Sequence, residues 1–353
     1  MSHPPVPGET SPKLTVIVPC RNEAKWIEPC LRSILANDFP LEQLEVLVVD
    51  GMSDDGTRAS IEAFSQQHPV VRMIDNPKKI TSAALNAGIA AARGAIIMRM
   101  DAHVDYPTHY MARLVHWLET SGADIVGGLC QTCPANDTPL ARAIAIGMSH
   151  PIGVGNSHFR IGVAEPRWVD AVPFGCFRRD VFTRVGLFDE DLIRNQDDEL
   201  ILRAIRAGGR ALLVPDVAFR YYTRDSLRKL WRMYYQYGYF KPLVVRKIGK
   251  VMTLRQLIPA VFVLSLLLAA LAAPWHWAAA ALFGTIVLAY AAAILSLGVL
   301  PAVRQGPRCA LWLGAVFPTL HFSYGLGYLR GVFDFMILRR RASARGAATP
   351  ITR

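Results

Sequence analysis

The chain has 353 residues, 52% of them hydrophobic, and a formal net charge of +11; this is room for a domain with a large core plus an appendage. No helix-turn-helix, finger or aromatic RNA-binding pattern accompanies the basic charge, so nucleic acid is set aside as a partner. Six cysteines with one CxxC, Cys130 and Cys133, and no second pair exclude a zinc site and read as buried free thiols in a reducing compartment.

Composition divides the chain. Up to about Arg224, apolar runs alternate with polar turns, as in a soluble α/β protein; from Leu257 on, the chain is Ala/Leu-rich with long uncharged runs. The positive charge gathers between Arg203 and Arg255 and in a tail with Arg339, Arg340, Arg341, Arg345 and Arg353. Basic clusters flanking apolar spans point to anionic lipid headgroups and cytosolic retention.

Residues 1–13 are polar and Pro-rich, without a hydrophobic signal region, and read as a disordered tail ahead of a domain that is not exported. Leu14 to Val18 is a short β-branched strand, and Ala24 to Leu35 has helical apolar spacing. Together they make the first βα unit of a doubly wound sheet. The loop between them carries no GxGxxG, which argues against a dehydrogenase. Leu44 to Val49 is the second strand and runs into Asp50-Gly51-Met52-Ser53-Asp54-Asp55. An acidic residue there can meet a base or ribose, or the Asp/Gly turn can cap the helix Thr57 to Gln67. Both can hold at once.

Val70 to Ile74 is a third strand, leading through Lys78 and Lys79 to a helix, Ser82 to Ala92, that contains Asn86 and Gly88. Either lysine can neutralise a diphosphate or sit in a solvated basic turn. The stretch Ile96 to Asp105, IIMRMDAHVD, organises the chain: an apolar run ends in Arg99, Asp101, His103 and Asp105. Ligands of open α/β sheets lie beyond the carboxyl ends of strands. On an extended chain Asp101 and His103 face one side, and a carboxylate with an imidazole suits a divalent cation.

Four motifs in this order, IVPCRNE, VVDGMSDDGT, ALNAGIAAARG and MRMDAHVD, resemble the nucleotide-sugar half of family 2 glycosyltransferases over about Leu14 to Arg224. The resemblance implies the GT-A fold, a Rossmann-like, mixed and mostly parallel sheet. The Asp101-Ala102-His103 form, with NQDDEL and YYQYGYFK further on, is most similar to bacterial succinoglycan glucosyltransferases of the ExoA type. More distantly, it is similar to polyisoprenyl-phosphate glycosyltransferases.

Roles follow from the resemblance residue by residue. Pro19, Arg21 and Glu23 would line the base pocket, Asp50 would meet uracil, Ser53 or Asp54 the ribose side, and Lys79 the base or diphosphate. Asp101 and His103 would hold the cation on the diphosphate. An imidazole in place of a second carboxylate favours Mn²⁺, with Mg²⁺ possible.

Leu114 to Leu118 reads as a helix and Ile125 to Leu129 as a strand. Asn136 to Pro166 reads as a long acceptor-side loop, with His150, His158 and Arg160 as phosphate contacts or as plain loop polars. Val169 to Phe174 leads to Gly175-Cys176-Phe177-Arg178-Arg179, a small-residue turn that the family places under the donor sugar. The acids of Gln196-Asp197-Asp198-Glu199-Leu200 suit a helix N-terminus. An inverting transferase also needs one carboxylate to deprotonate the acceptor hydroxyl. Matched to the family, that base is Asp197, with Asp198 the one-residue alternative and Glu199 the further acid.

Ser226 to Lys250 is basic and aromatic, as in an interfacial helix, and residues 225–256 are assigned to the membrane interface. Trp231 and Arg232 fall on an imperfect match to a QxxRW element of related synthases. Leu257 to Ala273 and Ala278 to Leu300 read as a membrane hairpin with its Trp-flanked turn outside. Ala310 to Leu329 contains Pro318, His321 and three glycines and reads as re-entrant or interfacial, which leaves the tail 339–353 cytosolic. His321 and Arg330 are candidates to face a lipid diphosphate.

The reading is thus an inverting transferase at the bacterial inner membrane, with a cytosolic catalytic domain. It moves a hexose, glucose favoured, from a UDP-sugar to a polyprenyl-diphosphate-linked saccharide in surface glycan synthesis. A polyisoprenyl-phosphate glycosyltransferase and a catalytically degenerate nucleotide-binding scaffold are the alternatives. Sugar, acceptor, linkage and oligomeric state are not specified by the residues.

Overall fold

The computed structural model describes residues 11–249 and 253–340, with Gln305 described by its backbone alone. Most of the N-terminal tail, Lys250, and the basic tail from Arg341 on lie outside the described residues. The chain forms two compact units. One comprises the chain up to Cys130 with Gly162–Glu190 and Gln196–Arg220; the other comprises Gln131–Ile161, Asp191–Asn195 and the chain from Tyr221. Two segments from within the α/β half of the sequence therefore group with the C-terminal helices.

The first unit is built on apolar strand runs. β1 (Leu14–Cys20) and β2 (Leu44–Asp50) are buried almost throughout, and β3 (Val71–Asp75) pairs parallel to β2. β4 (Ile96–Arg99) lies parallel to β1 on its other side. Beyond β4 the sheet turns mixed. β5 (Val104–Asp105), β6 (Ile125–Cys133), β7 (Arg167–Val169), β8 (Cys176–Arg178) and β9 (Ala211–Tyr222) complete nine strands among the described residues. The order is β3-β2-β1-β4-β8-β6-β9-β5, with β7 on β9 and β8 antiparallel to both β4 and β6.

Helices Ile27–Leu35, Thr57–Gln67, Thr81–Ala91 and Tyr110–Thr120 cover the sheet. The ALNAGIAAARG motif has a packing reason: a Cβ on Gly88 would come within 2.6 Å of the Ile17 side chain, so the helix rests directly on β1. Thr57–Gln67 matches the expected span, whereas the fourth helix is longer than the five residues read from sequence.

β7 ends at Val169 and β8 begins at Cys176. Two local expectations are corrected. Asp101 to His103 is a turn, closed by the Val104 amide donating to the Asp101 carbonyl at 3.3 Å, and not extended chain. Asn136 to Pro166 is not a loop, since it holds helices Pro139–Gly147, Pro151–Val154 and His158–Ile161. Pro139 and Pro151 begin their helices, where a missing N–H costs nothing, and Thr138 and His150 cap them.

In the second unit, Leu227–Ile248 is a 22-residue helix packed on Pro307–Gly331, a helix of 25 residues. The two backbones touch. A Cβ on Gly238 would meet the Tyr324 carbonyl at 2.1 Å, and one on Gly327 or Gly331 would meet the Tyr235 or Tyr239 carbonyl at 2.2 Å. Glycines that look like helix breakers are thus contact positions. This corrects the re-entrant reading of Ala310 to Leu329: the helix runs on past Pro318 without reversing. Three helices, Leu254–Ala272, Trp277–Ala302 and Pro307–Ile337, are long and apolar enough to cross a membrane.

Candidate active site

The site lies in the first unit, at the carboxyl ends of β1, β2 and β4, where parallel strands present their loops. At its centre is Arg99, the last residue of β4 and 7% exposed. Its Nε and Nη2 donate to Oδ1 and Oδ2 of Asp101 at 2.7 and 2.9 Å, a side-on fork. Its Nη1 donates to Oδ1 and Oδ2 of Asp197 at 2.8 and 2.7 Å. The guanidinium carbon stands 5.1 Å from the ring centre of Phe174, whose backbone is left-handed at φ 45°. A non-glycine residue held there stores strain of about 1–3 kcal/mol, a common feature of functional turns.

Burial opposes the Arg99 charge, and the Asp101 and Asp197 carboxylates outweigh it, so the guanidinium stays protonated more firmly than usual. Burial pushes the Asp197 carboxyl above the ordinary range; Arg99 pulls it down, and Asp101 and Asp198 push it up. The result is a base stronger than a solvated aspartate. Asp197 stands in the first turn of helix Gln196–Arg206, and its side chain keeps 29% exposure. Asp198 is half-buried beside it. Glu199 belongs to the scaffold: it grips Arg203 at 2.7 and 2.9 Å, and Arg203 donates to the carbonyls of Val185 and Leu187.

The loops after β1 and β2 are laced together. The Asn22 amide donates to Ser53 Oγ at 2.8 Å, the Asp54 amide to Asn22 Oδ1 at 3.1 Å, and the Glu23 amide to Thr57 Oγ1 at 2.8 Å. Asp50 is fully buried and accepts from the Ser53 amide and hydroxyl, from Arg58 Nη1 at 2.8 Å and from Cys20 Sγ. Four donors fill a carboxylate's acceptor sites. Asp50 therefore shapes the loop. Ser53 likewise serves the loop, whereas Asp54 and Arg21 are exposed and Pro19 is half-buried. Lys79 is exposed at φ 60°, while Lys78 pairs with Glu190.

Glu23 is also reassigned. Its carboxylate lies 3.3 Å from Nδ1 of His103 and is only 10% exposed, so it faces the imidazole. A proton on Nδ1 facing Glu23 would leave Nε2 the lone pair a metal needs. Among the described residues no group of three or more His, Cys, Asp or Glu is arranged around a common point. Asp101, which keeps lone pairs beyond those Arg99 uses, and His103 supply suitable oxygen and nitrogen donors.

In the second unit, Trp231 and Arg232 are exposed on helix Leu227–Ile248. His321 is not open to a lipid: Nε2 donates to the Ile152 carbonyl at 2.7 Å, and Nδ1 meets the Tyr290 hydroxyl at 2.8 Å. Arg330 is bound to the buried Asp334 at 3.1 Å, which also binds Tyr239 and Arg340. The ring of His321 is thus engaged within the fold, whereas the Arg330 side chain keeps 44% exposure.

Sequence reading missed two positioning residues. Arg99 was seen only as one polar residue of a cluster. Asn86, inside its helix, exchanges two 2.9 Å hydrogen bonds with the backbone of Phe188, tying the helix to the segment before the Asp197 helix. A polar residue on a buried helix face was the available signal.

Residues 15–186 match the profile described as glycosyl transferase family 2. Over 340 residues the chain is 32% identical to the succinoglycan biosynthesis protein ExoA of Rhizobium meliloti, covering 95% of this chain and 98% of that protein. The chain belongs to glycosyltransferase family 2. A second family 2 relative is 28% identical over 66% of this chain and 74% of its own length. It is the dolichyl N-acetyl-α-D-glucosaminyl phosphate 3-β-D-2,3-diacetamido-2,3-dideoxy-β-D-glucuronosyltransferase of Methanococcus voltae. In fold, the chain is similar to the mannosyltransferase PcManGT of Pyrobaculum calidifontis, solved in complex with GDP-Man and Mn²⁺. The TM-score is 0.58 at 22% identity, over 92% of this chain and 88% of that one. The sheet is that of a GT-A catalytic domain, and three apolar helices follow it.

Proposed function

We propose that this family 2 glycosyltransferase is membrane-bound, cation-dependent and inverting. It moves a hexose, glucose favoured, from a UDP-sugar to a polyprenyl-diphosphate-linked saccharide in surface glycan synthesis. The observation that carries the reading is the convergence of Asp101 and Asp197 on Arg99. A donor-side carboxylate and a base-side carboxylate thereby share one cleft.

Asp101 and His103 hold the cation, Mn²⁺ favoured, which when bound offsets charge on the departing diphosphate. Asp197 accepts the acceptor hydroxyl proton as that oxygen bonds to the anomeric carbon. The carbon–oxygen bond to the nucleotide diphosphate breaks from the opposite face. An α-linked donor therefore gives a β-linked product. Pro19, Arg21 and Asp54 border the nucleotide, and the exposed Lys79 meets its base or diphosphate.

Two relatives support the acceptor class. One is named for succinoglycan biosynthesis, and the name of the other specifies a dolichyl-phosphate-linked sugar rather than a bare lipid phosphate. Three apolar helices support membrane attachment, and the basic flanks support a cytosolic catalytic unit. The test is a screen of UDP-sugars with lipid-linked acceptors in Mn²⁺, read by mass spectrometry. Transfer that vanishes in Asp101→Ala and Asp197→Asn is expected. Undiminished transfer in either variant, or none with any UDP-sugar, refutes the reading.

A further inference from the structure

We infer that Arg99 is a positioning residue that couples donor loading to the base, because it competes with the donor's cation for Asp101 while holding Asp197. The inference rests on the proposed function, which gives Asp101 to the cation and Asp197 to the acceptor proton.

The geometry carries it. One guanidinium spends Nε and Nη2 on both oxygens of Asp101 and Nη1 on both oxygens of Asp197. Its side chain is 9% exposed and lies over Phe174, so it has no alternative place in solvent. A divalent ion on Asp101 must share that carboxylate with a fixed positive charge in a poorly solvated site, where repulsion is strong. The cost falls as Arg99 loosens its hold on Asp101 and leans on Asp197. Coupling of this kind is reciprocal: whatever donor loading does to the Arg99–Asp197 contact, Asp197 must return to donor affinity.

Competition differs from a plain structural brace in the sign of its effects. A brace between β4 and helix Gln196–Arg206 predicts that loss of Arg99 weakens nucleotide binding and transfer together. Competition predicts opposite signs. Arg99→Met binds Mn²⁺ and UDP about tenfold more tightly and transfers about a hundredfold more slowly, through a misplaced base. Arg99→Lys keeps the charge but not the fork, so it retains wild-type affinity and still loses rate. Asp197→Asn releases Arg99 onto Asp101 and weakens Mn²⁺–UDP binding about fivefold, although Asp197 has no assigned contact with the nucleotide.

The experiment is calorimetric titration of full-length, detergent-solubilised protein with UDP in Mn²⁺, paired with melting curves and transfer rates. Tighter binding in Arg99→Met and weaker binding in Asp197→Asn are expected. Weaker binding in a folded Arg99→Met, or unchanged binding in Asp197→Asn, overturns the inference while leaving the proposed function standing. If Arg99→Met does not fold, the near-isosteric Asp197→Asn decides alone. Wild-type protein that binds no UDP in Mn²⁺ removes the proposed function and this inference with it.

Discussion

Glu23 sets its carboxylate 3.3 Å from Nδ1 of His103. A carboxylate behind an imidazole fixes the ring and its tautomer, and removing such a partner typically costs about 10–100-fold in metal affinity. Glu23→Gln is therefore expected to raise the Mn²⁺ concentration needed for half-maximal transfer by that factor. Titration of activity with Mn²⁺ at saturating UDP-sugar measures it, and an unchanged requirement removes Glu23 from the cation site.

Asp197→Asn keeps the shape of the side chain and removes the base. Transfer should fall by about 10²–10⁴. Burial raises the Asp197 carboxyl above the ordinary aspartate range. In the proposed mechanism only the ionised form can take the proton, so rate should fall as pH drops through that raised value. The acidic limb of the kcat profile should thus lie above that of a solvated aspartate.

Glu45 offers a test of stability rather than catalysis. It is buried in β2 and accepts from Thr15, Arg72 and Arg93. Burial alone would raise its pKa, but these hydrogen bonds outweigh it and the carboxyl is held below its usual value. Its contribution is present above the unfolded value of about 4.3 and is lost as pH falls through the folded one. Glu45→Gln should cost about 2 kcal/mol at neutral pH and flatten the acid side of a melting-temperature profile.

Gly327→Ala should be tolerated poorly, since its Cβ would stand 2.2 Å from the Tyr235 carbonyl. A loss of about 1–3 kcal/mol is expected from such overpacking, and the melting temperature of detergent-solubilised protein reports it. Gly314, with nothing near its Cβ position, is the control that should not move.

Helix Pro307–Ile337 has the length of a third crossing. A reporter fused after Arg340 should then lie on the same side as one in the turn near Trp275. Arg330 and Arg340 oppose this under the positive-inside rule, but both are bound to buried Asp334. Reporters on opposite sides would instead place the helix in the interface.

The strands were legible because β1, β2 and β4 are buried, largely apolar runs. Asp101 and Asp197 could be named from the motifs, but spacing alone has nothing to say about what joins residues so far apart in the chain. Arg99 was hidden for that reason: at a strand end an arginine looks solvated unless its two distant partners are known. The helices around Pro139 and Pro151 were hidden by the Gly, His and Asn content of Asn136 to Pro166, although each follows a capping residue. Gly325 and Gly327 misled in the same way, because a glycine that interrupts a lone helix permits close approach in a packed pair.

Where Gly238, Gly327 and Gly331 meet carbonyl oxygens, no side chain intervenes that another could replace. A side chain brought to any of these three positions would run into the opposing main chain. The alignment of the two helices is thereby fixed like a key in a slot, and drift at this seam is confined to positions beside the three glycines.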